Sequence, residues 1–428
     1  MNNNVKWINV TSNDVIMTPL KYLLQKNTLK VGPFGSQLSG ADIISEESDY
    51  WVYNQRNVID KDFKNGNSFI TEDKFQALKG FQVTKDDILI TTRGTIGKIH
   101  RVESNFNKGV IHPCIIKFKI DESKIDYKFL EIIFNESDLI DRQLKYKSNA
   151  TTIEVIYSET LKNIYIPLLP LSKQKQISQF LYKKCEKINS ICNNIEKQIK
   201  KLIELKKSMI YEAVTKGLKN DIKLINSNIN WLGEIPESWD IKKGKYCLKY
   251  IQKGVKEDDE VVTCFRDGQV TLRSNRRLDG FTISEKEIGY QGIDKGDLVV
   301  HGMDGFAGAI GISDSRGKAS PVLNVLETKH NKRYIMYYLR NMAYNGVFIA
   351  LSTGIRVRTC DTNWTKLKEL PFLLPSLSEQ NEIANYLDNK CEKIDSLIEK
   401  RKKQIEKLIE LKKSLIYEYV TGRKEVIE

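Results

Sequence analysis

CEKINSICNNIEKQIKKLIELKKSMIYEAVT, residues 185–215, returns 206 positions later as CEKIDSLIEKRKKQIEKLIELKKSLIYEYVT, residues 391–421. Upstream the likeness continues: IPLLPLSKQKQI ends at Ile177 and LPFLLPSLSEQNEI ends at Ile383, differing by one inserted residue. The chain therefore consists of two halves with matching ends. In the first copy Ile188, Cys192, Ile195, Ile199, Leu202 and Met209 fall at alternating spacings of four and three, broken only where Leu205 and Lys206 share the missing position. The second copy sets Ile394, Ile398, Ile405, Leu408 and Leu415 at the same phases, with Arg401 where the first has Ile195. An apolar seam of that period predicts a helix that pairs with another of its kind, and one polar interruption suits a register mark. Neither stretch contains proline; Ser172 and Ser378 are the expected N-caps, and Gly217 and Gly422 the expected ends.

A helix from 172 to 217 would extend about 69 Å at the standard rise per residue. Two matching seams in one chain can bury each other, and an antiparallel pairing would set the globular regions at opposite ends of a rod, about a rough twofold axis. The expected fold is α+β: two heads joined by two long helices in an antiparallel coiled coil. The expected segments are 1–170, 171–219, 220–376 and 377–428. The heads hold short β-prone runs, such as DILITTR at Asp87 and DLVVH at Asp297, between glycine turns, with helices expected from Tyr127 to Leu144 and from Lys332 to Ala343. VGPFGSQL at Val31 and CFRDGQVTLRSNRRLDGFTIS at Cys264 have no counterpart in the other half, so the ends are repeated and the heads are not.

The 428 residues exceed one ordinary core, and 68 Lys plus Arg against 55 Asp plus Glu give a formal charge of +13. That excess suits a polyanion, although lysine-loaded surfaces are common enough that charge alone leaves nucleic acid an even choice. Cys114, Cys185, Cys192, Cys247, Cys264, Cys360 and Cys391 include no C-x-x-C pair, and read as reduced thiols. His100, His112, His301 and His330 fall in no zinc pattern, so no metal site is expected. No leader and no apolar run of membrane-spanning length is evident, and a soluble, cytoplasmic protein without a membrane partner is expected.

These features together resemble the specificity subunits of Type I restriction-modification systems, over essentially the whole chain. The resemblance rests on LSKQ at Leu171 and LSEQ at Leu377, each leading into LIELKKS, at Leu202 and Leu408. VGPFGSQL, WLGEIPESW at Trp231 and GDLVVHGMDGFAGAIGISDS at Gly296 add to it. It implies that each head is a target-recognition domain reading one half of a bipartite target in double-stranded DNA, with the helices as a molecular ruler. It also implies two modification subunits that bind S-adenosylmethionine, and a translocating restriction nuclease that uses ATP and Mg²⁺, leaving no cofactor on this chain. One departure is charge: residues 172–217 hold 11 lysines against 4 glutamates, whereas 378–422 balance 9 basic against 9 acidic residues.

Bases are read by bidentate Arg, Asn and Gln contacts, while Lys and backbone amides hold phosphates. The candidates in the first head are Gln55, Arg56 and Asn57, the turn Arg93-Gly-Thr95, and Lys98, with Arg93 foremost. Those in the second are Arg266, Arg273, Arg276 and Arg277, and Arg356 with Arg358 after Ser352-Thr-Gly354. A surface ion pair is the competing reading for each arginine singly. Gly32-Pro-Phe-Gly35 and Gly302-Met-Asp-Gly305-Phe-Ala-Gly308 match no nucleotide-binding pattern, and turns that bring the backbone close to DNA or pack it against a sheet are the expected use.

The chain has no adjacent prolines, hence no loop of the N/D-P-P-Y type for a flipped adenine, and no G-x-S-x-G elbow. Acidic pairs such as Asp86-Asp87 and Asp258-Asp259 lack a matching lysine pattern for a nuclease. A coiled-coil adaptor that touches no DNA, and an enzyme with an unrecognised motif, are the alternatives. Arginine concentrated in loops and unlike heads on a duplicated frame argue against the first, and the missing motifs against the second.

Overall fold

The computed structural model describes residues 15–426 except 65, 67, 149–154, 220, 277–286 and 352–361. The chain folds as two compact units, residues 1–195 with 403–428, and residues 196–402. Each unit therefore holds one head and a stretch of both long helices.

The long helices are Leu171–Lys216 and Leu377–Val420. Each begins two residues earlier than an N-cap at Ser172 or Ser378 would place it, and those serines lie inside the first turn. In the second helix the cap is Ser376, whose Oγ accepts the amide of Glu379 at 3.2 Å. Gly217 and Gly422 follow the helix ends in left-handed conformation, φ +79° and +70°, where a side chain would be strained.

Within the first unit the helix stretches run antiparallel. Lys173 pairs with Glu425 at 3.1 Å, the Phe180 and Tyr419 rings lie 4.8 Å apart, and Lys412 donates to Asn189 at 2.8 Å. Within the second unit they do so as well: Lys206 reaches Asp395 at 2.7 Å, and Gly217 lies against Glu379. Ile195 and Ile394 are buried, while Ile188, Ile199, Leu202, Met209, Ile398, Ile405, Leu408 and Leu415 are partly covered, as expected where one helix faces only one other. At the shared position Lys206 takes the seam and Leu205 faces out, 49% exposed. The lysine lays its methylene stem along the seam and carries its charge to Asp395.

The repeated LSxQ segments have a structural use that their spacing does not reveal. Gln174 is fully buried: its Oε1 accepts the amide of Asp126, and its Nε2 donates to the carbonyls of Leu169 and Lys124. Asp126 is the N-cap of helix Tyr127–Asn135, so the glutamine ties that helix to the start of the long one. Gln380 repeats the device, accepting from the amide of Asn331, the N-cap of helix Lys332–Tyr344, and donating to Pro375.

The expected helix from Tyr127 to Leu144 divides into Tyr127–Asn135 and Leu139–Ser148. Ser137 breaks it, its hydroxyl donating to Ile133 and accepting from the amide of Leu139. Each head has an antiparallel four-stranded sheet. The first runs Lys30–Val31, Ile115–Phe118, Ile88–Thr91, Ile99–Arg101, and the second Lys249–Ile251, Leu323–Glu327, Leu298–His301, Ile310–Ile312. In both, the first strand pairs with the last, and the middle hairpin forms the far edge. A two-stranded ribbon, Ile16–Pro19 with Tyr165–Leu168 or Asp240–Lys243 with Pro371–Leu374, precedes each long helix. The heads are thus repeated in strand order although not in sequence, because a sheet needs alternating apolar residues rather than particular ones.

Tyr334, fully buried, donates its hydroxyl to Leu373 at 2.9 Å and anchors its helix over the second ribbon. The WLGEIPESW segment belongs to the same core: Leu232 and Ile235 are buried, and Trp239 donates its indole N–H to Glu379 at 3.1 Å.

Candidate nucleic-acid interface

In the first unit the hairpin of Ile88–Thr91 and Ile99–Arg101 exposes its connecting loop. Gly94 and Gly97 take φ +64° and +76°, and between strand ends so sharply turned Arg93 and Thr95 are exposed. The loop is moored by Thr92, whose amide and hydroxyl both donate to the carbonyl of Cys114, at 3.0 and 2.8 Å. Gln55 opens helix Gln55–Ile59, and its Oε1 would lie 3.4 Å from a Cβ at Gly94. The Cys114 thiol bonds the Gln55 side chain and touches Nδ1 of His112 at 2.6 Å. Gln55, Arg93, His112 and Cys114 thereby converge from three separate segments. Burial, reinforced by the Arg93 charge, holds the His112 imidazole below its usual range.

Three neighbours behave differently. Asn57 is only 6% exposed: its Oδ1 accepts the amide of Asn54 and its Nδ2 donates to Asp62, so it closes a capping box rather than facing a ligand. Lys98 spends its ammonium on the carbonyl of Asn135 at 2.6 Å, at the end of helix Tyr127–Asn135. Arg56 stays open, 86% exposed, with an i,i+4 pair to Asp60 that a phosphate can outcompete. Gly32 meets the expectation of close packing, since a Cβ there would lie 2.2 Å from the His112 carbonyl oxygen.

In the second unit the arginines are set by acids and rings. Arg266 pairs with Asp304 at 2.9 Å. Arg276 grips Asp267 with both terminal nitrogens, at 3.0 and 2.7 Å, and lies over the Phe265 ring at 4.1 Å. Arg273 donates Nε to Thr263. The competing ion-pair reading thus applies to Arg266 and Arg276, both still partly exposed. The glycine-rich stretch from Gly302 forms the loop of hairpin Leu298–His301 and Ile310–Ile312, with Gly305 pressed on Thr362 and no room for a Cβ. At its root His301 sits beside Arg266 and Asp304; burial lowers its proton affinity, Asp304 opposes and Arg266 assists. Arg277, Arg356 and Arg358 lie outside the described residues. The two histidines escape sequence reasoning, since each is a lone imidazole at a strand end with no ligand partner in the sequence around it.

Among the described residues no group of three or more His, Cys, Asp or Glu could hold a metal ion, and no helix is long and apolar enough to cross a membrane.

Comparisons with known proteins agree on one family. The model of the Type I restriction modification DNA specificity domain matches twice, at residues 36–205 and 233–407. The Type I restriction enzyme MjaVIII specificity subunit of Methanocaldococcus jannaschii is 31% identical over 186 residues, which cover 41% of this chain and 40% of that protein. The match thus spans about two fifths of that relative's length. The Type I restriction enzyme EcoBI specificity subunit of Escherichia coli is 22% identical over 351 residues, 75% of this chain and 70% of that protein. A chain from a solved structure on the complex assembly and conformational transition of the type I R-M system superposes with a TM-score of 0.68. It covers 96% of this chain and 99% of its own at 14% identity, a likeness of fold. With the family domain present twice and filling most of both halves, the chain belongs to the Type I restriction modification DNA specificity domain family.

Proposed function

We propose that the chain is the DNA sequence-specificity subunit of a Type I restriction-modification complex, reading a bipartite, gapped target in double-stranded DNA and carrying no catalytic centre. The observation that carries this reading is the family domain occurring twice, once with each head. Residues 1–170 and 220–376 act as the two target-recognition domains. The helical segments 171–219 and 377–428 pair as a coiled coil that sets the gap and offers docking surface to two modification subunits and a restriction subunit. Those partners bring S-adenosylmethionine, ATP and Mg²⁺, and the modification subunit methylates an adenine in each half-site after flipping it out. The complex works in the cytoplasm.

Recognition divides by chemistry. Arg56 and the exposed lysines hold phosphates and supply most of the affinity, while Arg93 with Gln55, and Arg266 with Arg273 and Arg276, address base edges. Arg277, Arg356 and Arg358 belong to the same proposed set. Long-read methylome sequencing of a methylation-free host carrying this gene and its neighbouring modification gene is expected to reveal a gapped methyladenine motif absent with either gene alone. Absence of a motif despite a stable purified complex would overturn the reading. Arg93→Ala is expected to cut base discrimination in one half-site about ten- to a hundred-fold, the worth of one bidentate contact, and to leave the other half-site intact.

A further inference from the structure

The two histidines beside the candidate arginines share an arrangement that fixes their protonation. Nδ1 of His112 accepts the backbone amide of Cys114 at 3.2 Å, and Nδ1 of His301 accepts the amides of Met303 at 3.2 Å and Asp304 at 3.0 Å. A backbone N–H only donates, so each Nδ1 is assigned as an unprotonated acceptor, with the Cys114 thiol 2.6 Å from Nδ1 of His112 as a second donor to it, and each ring proton is assigned to Nε2. Protonating either ring would turn Nδ1 into a donor facing another donor. Burial lowers the proton affinity of both rings; Arg93 assists at His112, whereas at His301 Asp304 opposes more than Arg266 assists.

Neither Nε2 has a hydrogen-bond partner among the described residues. Both histidines are partly exposed rather than buried. Each unit thus presents one fixed, uncharged donor: in the first beside Arg93 and Gln55, in the second beside Arg266.

We infer that His112 and His301 are specificity-determining residues, each offering Nε2–H to an acceptor on a base edge of its own half-site; this rests on the DNA-specificity reading above. A neutral ring has little to offer a phosphate compared with the lysines and arginines around it. A lone donor matches N7 or O6 of guanine, N7 of adenine or O4 of thymine, and it opposes the amino groups of cytosine and adenine. It therefore rejects a base by facing donor to donor, a discrimination that a mobile lysine cannot impose.

The test uses the full chain with its modification subunit and compares motifs from methylome sequencing. Asparagine keeps an oxygen near the Nδ1 position for the backbone amide but loses the outer donor, and glutamine restores a donor near Nε2. His112→Asn is expected to make one base position degenerate in one half-site, with discrimination there falling about tenfold or more, and His112→Gln to recover part of it. His301→Asn is expected to do the same in the other half-site only. An unchanged motif for both asparagine variants, or equal loss across both half-sites from either, overturns the inference. Arg93→Ala run in parallel separates the two levels: if it alters the motif while the histidine variants do not, the DNA-specificity reading stands and the histidine inference falls. If Arg93→Ala and the unaltered chain both give no motif, the reading itself has failed.

Discussion

Gln174→Ala is expected to destabilise the first unit by about 3 kcal/mol, several times the effect of an ordinary surface substitution. The side chain is fully buried and makes three hydrogen bonds. Truncation leaves the amide of Asp126 and two carbonyls without that partner, each such orphan costing roughly 1–3 kcal/mol, with carbonyls at the lower end. A cavity adds to the cost. The damage falls first on helix Tyr127–Asn135, whose N-cap loses its tie to the long helix. Hydrogen exchange resolved by residue is the suitable measurement, because a chain of two units need not unfold in one step. Faster exchange over 127–135 with the helix Lys332–Tyr344 unaffected is the expected pattern, and Gln380→Ala should reverse it. Exchange unchanged in both variants would mean that these glutamines are incidental.

Lengthening both long helices by one heptad is expected to widen the unspecified gap of the target by about 3 base pairs. Seven residues add about 10.5 Å of helix, and B-form DNA rises about 3.4 Å per base pair. The places to insert are after Ile195 and after Lys402, where the chain passes from one compact unit to the other. A heptad preserves the seam, since the apolar positions repeat with that period. A heptad in one helix alone would slip the pairing of Lys206 with Asp395 or of Lys412 with Asn189 against the rest of the seam. The readout is the methylated motif rather than the rate, because extra base pairs also rotate one half-site about the duplex. The original gap retained in a folded, partner-bound variant would exclude the ruler; both half-site sequences are expected to stay as they were.

The helices were legible in the sequence because their signal is local and doubled: a seam of fixed period, two glycine stops and a repeated 31-residue block. Their starts were less so. Ser172 and Ser378 have the side chain a cap needs, but the proline turns place the first helical residue at Leu171 and Leu377, which leaves both serines inside. The shared strand order of the heads was hidden, since two sheets of equal topology need no residue in common. Among site residues, Arg93 was legible as an exposed arginine between turn-forming glycines. The inward bonds of Asn57 and Lys98 were not legible, because whether a polar side chain faces out or bonds to the backbone depends on groups that the chain's own folding brings near. His112 and His301 draw their meaning wholly from such backbone amides.

The first unit is closed by a segment far along the chain, from residue 403 onward. Ile416 and Val420, both fully buried, pack in the same core as Leu20, Phe129 and Leu181. The second unit uses one uninterrupted stretch, residues 196–402. Synthesis runs from the N-terminus, so the head made first waits longest: the second unit has all its residues while the first still lacks residues 403–426. Until the ribosome delivers them, the exposed side of that earlier core is an apolar surface in need of cover. The order of completion is the reverse of the order of translation.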